Sequence, residues 1–243
     1  MKRKIEFQGA GRTILVFSVI ALFLGAFSGV FTTKALADDV TDARHLTERA
    51  KLTLETFMQA PETEGFRSLV KTAKGVFIAP QILRGAFVVG GSGGSGIFMV
   101  RDSKSGSWAG PAFYTLGGVS FGFQIGGDAS EVIFLAMTDR GVNALLKSGV
   151  KLGADVGVAV GPIGAGVDAS TANLSVDVLT FSRSKGLYGG ISLAGSVVYV
   201  REDWNNAYYG LNATPTDILI SKSVMNRHAV GLLDTLSNAS ATR

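Results

Sequence analysis

The sequence predicts an α+β fold, with a curved antiparallel β-sheet or barrel-like β-sandwich and helices at the N- and C-terminal ends. Apolar runs alternate with glycine clusters through residues 85–127, a pattern typical of strands separated by turns. Apolar residues recur every three or four positions in residues 40–60 and again after Thr214, which predicts the terminal helices. Glycines inside the predicted strands also indicate bulges and close approach of another backbone or a ligand.

The first 37 residues have the pattern of an export leader. Four basic residues precede the apolar run 14–31, and Ala35 and Ala37 then supply the small residues of a cleavage site. The predicted domains are therefore a signal peptide over residues 1–37 and a single domain over residues 38–243. Because the apolar run is nearly long enough to span a bilayer, an uncleaved membrane anchor is the alternative. In either case we expect a periplasmic or envelope-associated bacterial protein.

The composition excludes several classes of function. The net charge of +4 comes from the leader, which holds five of the 23 basic and one of the 19 acidic residues and so leaves 18 of each sign. The basic net charge therefore gives no argument for nucleic-acid binding, which needs a positive stripe on the folded domain, and nucleic acid is not an expected partner. There is no Cys and there are only two His, which argues against disulfides, metal sites and a Cys nucleophile. We expect neither a metal nor a cofactor.

Two helices are predicted before the first strand. Residues 40–60 carry an apolar stripe at helical spacing and charges elsewhere, which predicts a helix packed on the domain. A membrane-surface helix is the alternative, but the charges of this segment are of both signs. Pro61 ends the first helix, and residues 62–74 predict a second, shorter one.

The stretch 67–84 contains four basic residues and no acidic one. Arg67, Lys71 and Lys74 have spacings that place them on one face of the second predicted helix. Basic residues beside apolar ones suit anionic lipid headgroups. We therefore expect lipid contacts from these three residues and from Arg84, with a solvated helix face as the alternative.

Short strands fill the centre of the chain. They are predicted at residues 75–80, 86–89 and 97–100 and from Ala112 onward, and the glycine stretch 90–96 is predicted as a break between two of them. Further strands are predicted at residues 131–138, 151–160, 174–182 and 189–201, with a helix over 139–148 capped by Asp139 and a turn over 205–210. Most aromatic residues are expected in the core, and those near predicted turns are candidates for a lipid–water interface: Trp108, Trp204, Tyr208 and Tyr209.

Three short motifs match signatures of nucleotide-binding or catalytic sites, but the segments around them do not match the structures that such sites require. Residues 91–96 match G-x-G-x-x-G, yet a strand-like run follows where a dinucleotide site needs a helix. Residues 90–94 match G-x-S-x-G around Ser92, again without a following helix, so a serine hydrolase using Ser92 and His228 is a remote alternative. Residues 182–185 match S-x-x-K, but the flanks predict a polar hairpin turn.

The predicted turn at residues 182–185 carries two positively charged side chains. Arg183 and Lys185 flank Ser184 in a segment predicted to face solvent. Two cations on a polar turn suit an anionic group. We therefore include both in the predicted lipid-binding set.

The order and spacing of several segments resemble the SYLF domain family over about residues 40–211. The matching segments are 75–80, 90–96, 106–114, 124–127, 152–155 with 161–162, 182–193 and 206–210. The resemblance implies binding of membrane lipids, especially anionic headgroups, and no enzymatic activity. It implies that the basic N-terminal helical part contacts lipid, and the matching residues are Arg67, Lys71, Lys74 and Arg84.

The predicted function is therefore that of a non-enzymatic, exported lipid-binding protein that associates with anionic phospholipid at the bacterial envelope. Export argues against actin as a partner. An envelope module that binds an unidentified protein or peptidoglycan through its sheet edges is the alternative.

Overall fold

The structure is a computed structural model that describes residues 31–86, 89–121, 126–164, 176–189 and 193–241. It confirms the α+β class, with a strongly curled half-barrel sheet and helices at both chain ends. Residues 1–30 of the predicted leader lie outside the described part. None of the helices in that part is both long and apolar enough to cross a membrane.

The helices and strands have the following bounds. The helices are α1 (Phe31–Gln59), α2 (Glu64–Val70), α3 (Asp139–Leu145), α4 (Glu202–Tyr209), α5 (Pro215–Leu219) and α6 (Val230–Ser240), with 3₁₀ turns at Pro61–Thr63 and Arg227–Ala229. The strands are β1 (Gly75–Ala86), β2 (Val89–Arg101), β3 (Trp108–Phe121), β4 (Gly126–Ala136), β5 (Val150–Lys151), β6 (Val158–Val160), β7 (Val178–Ser184), β8 (Leu187–Gly189) and β9 (Val197–Val200).

The strands form one sheet in the order β5-β9-β3-β2-β1-β4-β7-β6, and β8 pairs with β7. The described pairs are antiparallel except for β6 and β7, which run parallel. In the centre of the sheet β1 pairs with β2 and β2 with β3, whereas β4 pairs with β1 and not with β3. The predicted antiparallel sheet is thus confirmed, with one parallel pair added at its edge.

Both faces of the sheet are buried. Val76 and Ile78 of β1 join a core with α1, α2, α4 and α6, whereas Phe77 and Ala79 join a second core with α3 and α5. A strand buried on both faces needs a continuous apolar run instead of an alternating one, which explains the sequence of residues 76–79. The helices therefore cover most of the sheet and leave its far end, beyond Ile82, less enclosed.

The glycine stretch 90–96 is part of β2, so the prediction of a break between strands is wrong. The register with β1 shifts between Ile78 and Leu83, a β-bulge that contains Pro80. The bulge brings backbone so close that a Cβ on Gly94 would lie 2.1 Å from the carbonyl oxygen of Gln81. Position 94 requires glycine because the backbone of β1 occupies the space that a side chain would take. The chain does not turn at this position.

Several local predictions also change. Thr138, and not Asp139, caps α3, because its hydroxyl accepts from the Gly141 N–H at 3.0 Å. Residues 202–209 form α4 where a turn was predicted. Residues 152–157 of the predicted strand 151–160, and residues 193–196 of the predicted strand 189–201, lie outside the strands. Trp108, Trp204 and Tyr208 are buried and Tyr209 is half-buried, so the interfacial position considered for these aromatics is wrong.

Candidate functional site

The six predicted lipid-binding residues separate into two groups at opposite ends of β1. Lys74 immediately precedes this strand, and Arg84 lies near its other end. Ten residues of extended chain separate them, which corresponds to about 30 Å. Arg67 and Lys71 lie near Lys74 in sequence, while Arg183 and Lys185 lie on the β7–β8 hairpin beside the Arg84 end. The structure therefore does not combine the six into one surface.

Arg67 supports the fold. Its Nη1 donates to the carbonyl of Ala60 and, at 3.2 Å, to the hydroxyl of Thr63. Both acceptors belong to the connection between α1 and α2, and the side chain is half-buried. Its guanidinium is therefore engaged with the chain itself.

The prediction that Arg67, Lys71 and Lys74 share one helix face is wrong. Helix α2 ends at Val70, and the Lys74 N–H already bonds the carbonyl of Ala136 in the sheet. Lys74 Nζ lies 2.6 Å from Asp139 Oδ2, whereas Lys71 is exposed beyond the helix end. Of the three, Lys71 alone has a side chain with neither a hydrogen bond nor an ion pair in the part of the chain that the structure describes.

Arg84, Asp128 and Lys185 come together at the other end. Arg84 and Asp128 are opposite each other in the β1–β4 register. Burial lowers the pKa of Arg84, although the Asp128 charge acts in the other direction. Hydrogen bonds from Ser184, with Lys185 nearby, lower the pKa of Asp128. Lys185 (φ 50°) and Gly186 (φ 78°) form a two-residue hairpin turn. The predicted hairpin is thus present, but residues 182–184 of the predicted turn belong to β7.

Arg183 is paired within the domain. Its Nε lies 2.5 Å from Glu131 Oε2, and this pairing raises the pKa of Arg183. Glu131 Oε1 also accepts from the hydroxyl of Thr53 on α1 at 3.3 Å. Arg183 thus helps to tie α1 to the sheet, and of the hairpin cations Lys185 is the exposed one.

An open depression lies where Arg84 and Lys185 meet the glycine-rich strand; we call it the glycine groove. Its lining residues are Leu83, Arg84, Gly91, Ser92, Gly93, Asp128, Ala129 and Lys185. A Cβ on Gly91 would meet nothing within 4 Å, and one on Gly93 only the Leu116 carbonyl at 3.6 Å. These two glycines, unlike Gly94, leave bare backbone facing open space.

The glycine groove continues beneath α1. A second depression shares Leu83 and Gly93 with it and is lined by α1 residues, among them His45, Leu46 and Arg49. The Nη2 of Arg49 donates to Gln81 Oε1 at 3.0 Å, which fixes α1 over the strand end. The groove therefore has a helix along one side and the β7–β8 hairpin along the other.

Large apolar side chains are exposed on the elements that flank the groove. Leu83 in the groove is 56% exposed, Leu187 on the hairpin is 76% exposed and Leu52 on α1 is 60% exposed. The hydroxyl of Tyr188, next to Leu187, donates to the Thr56 carbonyl of α1 at 3.3 Å, so the hairpin and helix are joined here. Leu83 thus lines the groove together with Arg84 and Lys185, and Leu187 lies on the hairpin that carries Lys185.

Ser92 lacks the surroundings of a nucleophile. It lies inside β2, opposite Arg84 on one side and Gly118 on the other. His228 is engaged elsewhere, with Nδ1 3.2 Å from the Tyr208 hydroxyl and Nε2 3.2 Å from Glu48. Within the described ranges no contact joins Ser92 to His228, and no group of three or more His, Asp or Glu is placed to hold a metal.

Comparison with known proteins decides the family. Residues 117–239, half of the chain, match the family model described as Ysc84, Las17-binding protein actin regulator. The chain belongs to this family. The resemblance to SYLF domains is thereby confirmed.

Relatives occur in animals and yeast. Human SH3 domain-containing YSC84-like protein 1 is 33% identical over 172 residues, which cover 70% of this chain and 50% of the human protein. Protein YSC84 of Saccharomyces cerevisiae is 31% identical over 183 residues, or 71% of this chain and 38% of the yeast protein. LAS seventeen-binding protein 3 of the same yeast is 31% identical over 182 residues, or 71% and 39%. The chain thus spans half or less of the relatives that it matches.

Part of this site was not predicted from the sequence. Leu83 and Leu187 were not singled out, although Leu83 follows the buried Ile82 directly, and neighbours in a strand point to opposite faces. Glu131 and Asp128 were also missed as the partners of the hairpin cations. Their contacts depend on the β4–β7 register, which no local sequence signal specifies.

Proposed function

We propose that this domain binds anionic membrane surfaces through the rim of the glycine groove. The observation that carries the proposal is that Lys185, Arg84 and the exposed Leu83 line one groove, with the exposed Leu187 on the adjoining hairpin. Isolated exposed leucines are common, but apolar groups beside cations match the layered chemistry of a lipid surface.

Charge and apolar burial contribute comparably to such binding. Each basic residue near an anionic surface adds about 1 kcal/mol, so Arg84 and Lys185 together give only weak attraction. Full burial of a leucine side chain adds about 1.5–3 kcal/mol, so Leu83 and Leu187 supply at least as much. Binding should therefore prefer anionic vesicles and weaken in high salt without being abolished by it.

Flotation with vesicles tests this surface. We would use the chain from Asp38 onward, so that the apolar leader does not itself enter the bilayer, and compare phosphatidylcholine with phosphatidylglycerol vesicles. Lys185→Glu should reduce flotation with anionic vesicles only, and Leu187→Ser should reduce it with both. Lys147→Glu is the matched control, because Lys147 is an exposed lysine without a side-chain partner among the described residues. Equal effects of the Lys185 and Lys147 substitutions would refute the proposed surface.

We also propose that the domain acts at the bacterial envelope after export. The basic, apolar and small-residue pattern of residues 1–37 supports this location. Intact-mass analysis of the protein from the envelope fraction should show an N-terminus at Asp38. A full-length protein in the membrane fraction would instead indicate the anchor, and recovery from the cytoplasm would contradict export.

The comparisons favour a second candidate, a protein-binding module. The family description names a Las17-binding protein and actin regulator, and one yeast relative is named for binding LAS seventeen. Because the chain spans half or less of these relatives, we treat a corresponding protein partner as a proposal only. A stoichiometric partner in a pull-down, together with no vesicle flotation, would favour this candidate over lipid binding.

A further inference from the structure

A separate cavity lies at the end of the sheet opposite the glycine groove. It has a volume of about 490 Å³ and is bounded by the residues before β1, the end of β2, α3 and the end of α5. Its charged lining residues are Lys74, Arg101, Asp102, Asp139 and Lys222. Val142, Leu219 and Ile220 form an apolar wall. Three cations and two carboxylates therefore face one space.

Two of the three cations already have carboxylate partners. Lys74 Nζ lies 2.6 Å from Asp139 Oδ2, and Lys222 Nζ lies 2.7 Å from Asp102 Oδ2. The bond from Lys222, together with bonds from Ser105 and the Lys104 N–H, lowers the pKa of Asp102. Within each pair the ammonium and the carboxylate balance each other's charge.

Arg101 is held without a counter-ion. Its Nη1 donates to the Lys71 carbonyl at 2.7 Å and its Nε to the Gly106 carbonyl at 3.3 Å. No ion pair joins it to a carboxylate of the described residues, and its Nη2 has no hydrogen-bond partner among them. Two neutral carbonyls thus orient the guanidinium but do not neutralise it, and the cavity keeps one excess positive charge.

We infer that Arg101 is the centre of a second anion-binding site, which takes a singly charged phosphodiester. A monoanion neutralises the single excess charge, whereas a dianion would leave an unbalanced charge in a partly buried cavity. A guanidinium bonds two oxygens of one phosphate in a planar fork, which a lysine cannot do. The apolar wall suits the organic substituents of a diester, and the volume lies within the range of small-molecule sites.

This site is independent of the proposed membrane contact. Arg101 and Lys74 lie about 30 Å from Arg84 along β1. The phosphodiester has two possible sources, the headgroup of a phospholipid or a free soluble diester. The test distinguishes them.

Protection of arginine from phenylglyoxal measures occupancy in the unaltered full chain, kept in a neutral non-ionic detergent. Peptide mass spectrometry would follow the modification rate of Arg101 with glycerophosphoglycerol, with phosphatidylglycerol in the micelles, or with neither. Arg227 is the internal control, because it is exposed and does not line this cavity. We expect a slowing of at least about threefold at Arg101 and none at Arg227.

Each outcome decides the inference. Slowing by the soluble diester supports a site that accepts a free diester, and slowing by the lipid alone supports the site with a lipid source. Equal rates at Arg101 under all three conditions would overturn it. In a second measurement, Arg101→Gln should weaken diester binding by about tenfold or more in calorimetry, whereas Lys104→Gln on the adjoining loop should not.

Discussion

Gly94 and Gly91 offer a matched pair for testing how the glycine-rich strand is built. A Cβ on Gly94 would lie 2.1 Å from the Gln81 carbonyl oxygen and 2.9 Å from Ile82 Cδ1, so the backbone of β1 must move to admit it. Overpacking of this kind costs about 1–3 kcal/mol, and a clash with backbone favours the upper end. A Cβ on Gly91 would meet nothing within 4 Å. Gly91→Ala should then be neutral or stabilise by up to about 1 kcal/mol.

Thermal and urea unfolding of the two alanine variants would measure the difference. At about 2–4 °C per kcal/mol for a domain of this size, Gly94→Ala should lower Tm by roughly 6–12 °C, while Gly91→Ala leaves it unchanged or slightly higher. Equal stability of the two variants would refute the reasoning. It would indicate that residues 90–96 form the break between strands that the sequence suggested, without the close contact to the β1 bulge.

Two further predictions concern buried polar groups. The Tyr114 hydroxyl is fully buried and has no hydrogen-bond partner among the described residues. Because Tyr114→Phe removes this unsatisfied group, it should raise the free energy of unfolding in urea titrations by about 1 kcal/mol. A lower free energy of unfolding would contradict this prediction. For Asp177, burial raises the pKa, but bonds from Thr138 and the Gly157 N–H and the charge of Arg140 outweigh it and leave the pKa lowered. A carboxylate whose pKa is lowered in the fold stabilises the fold at any pH above its unfolded-state pKa, and this stabilisation is lost in acid. The difference in free energy of unfolding between wild type and Asp177→Asn should therefore narrow as the pH falls below about 4. A gap that stays constant into strong acid would argue against an ionised Asp177 in the fold.

The fold class was predictable because it depends on local patterns. Apolar periodicity identified α1 and the terminal helical region, and the run at residues 76–79 identified a buried strand. The glycine stretch 90–96 was wrongly predicted as a break between strands because glycine usually marks turns. Here it marks places where the Gln81 backbone and the Phe77 ring lie against β2, and such contacts between strands are not visible in a local pattern.

The candidate site was predictable only in part. Lys185 and Arg84 were singled out by charge, and the structure places both at the glycine groove. Arg67 and Lys74 were singled out by the same criterion, but contacts with Ala60 and Asp139 engage them. Charge alone does not distinguish a free cation from a paired one, because the partner is often distant in sequence.

Fluorescence from a single labelled position would test the central claim most directly. The chain has no Cys, so Leu187→Cys and Met225→Cys can each carry one environment-sensitive probe. Met225 is the stricter control, because at 88% it is more exposed than Leu187 at 76% and is also apolar. With phosphatidylglycerol vesicles we expect a blue shift and higher intensity at position 187 and no change at position 225. A response at position 225 without one at 187 would contradict membrane binding through the glycine groove.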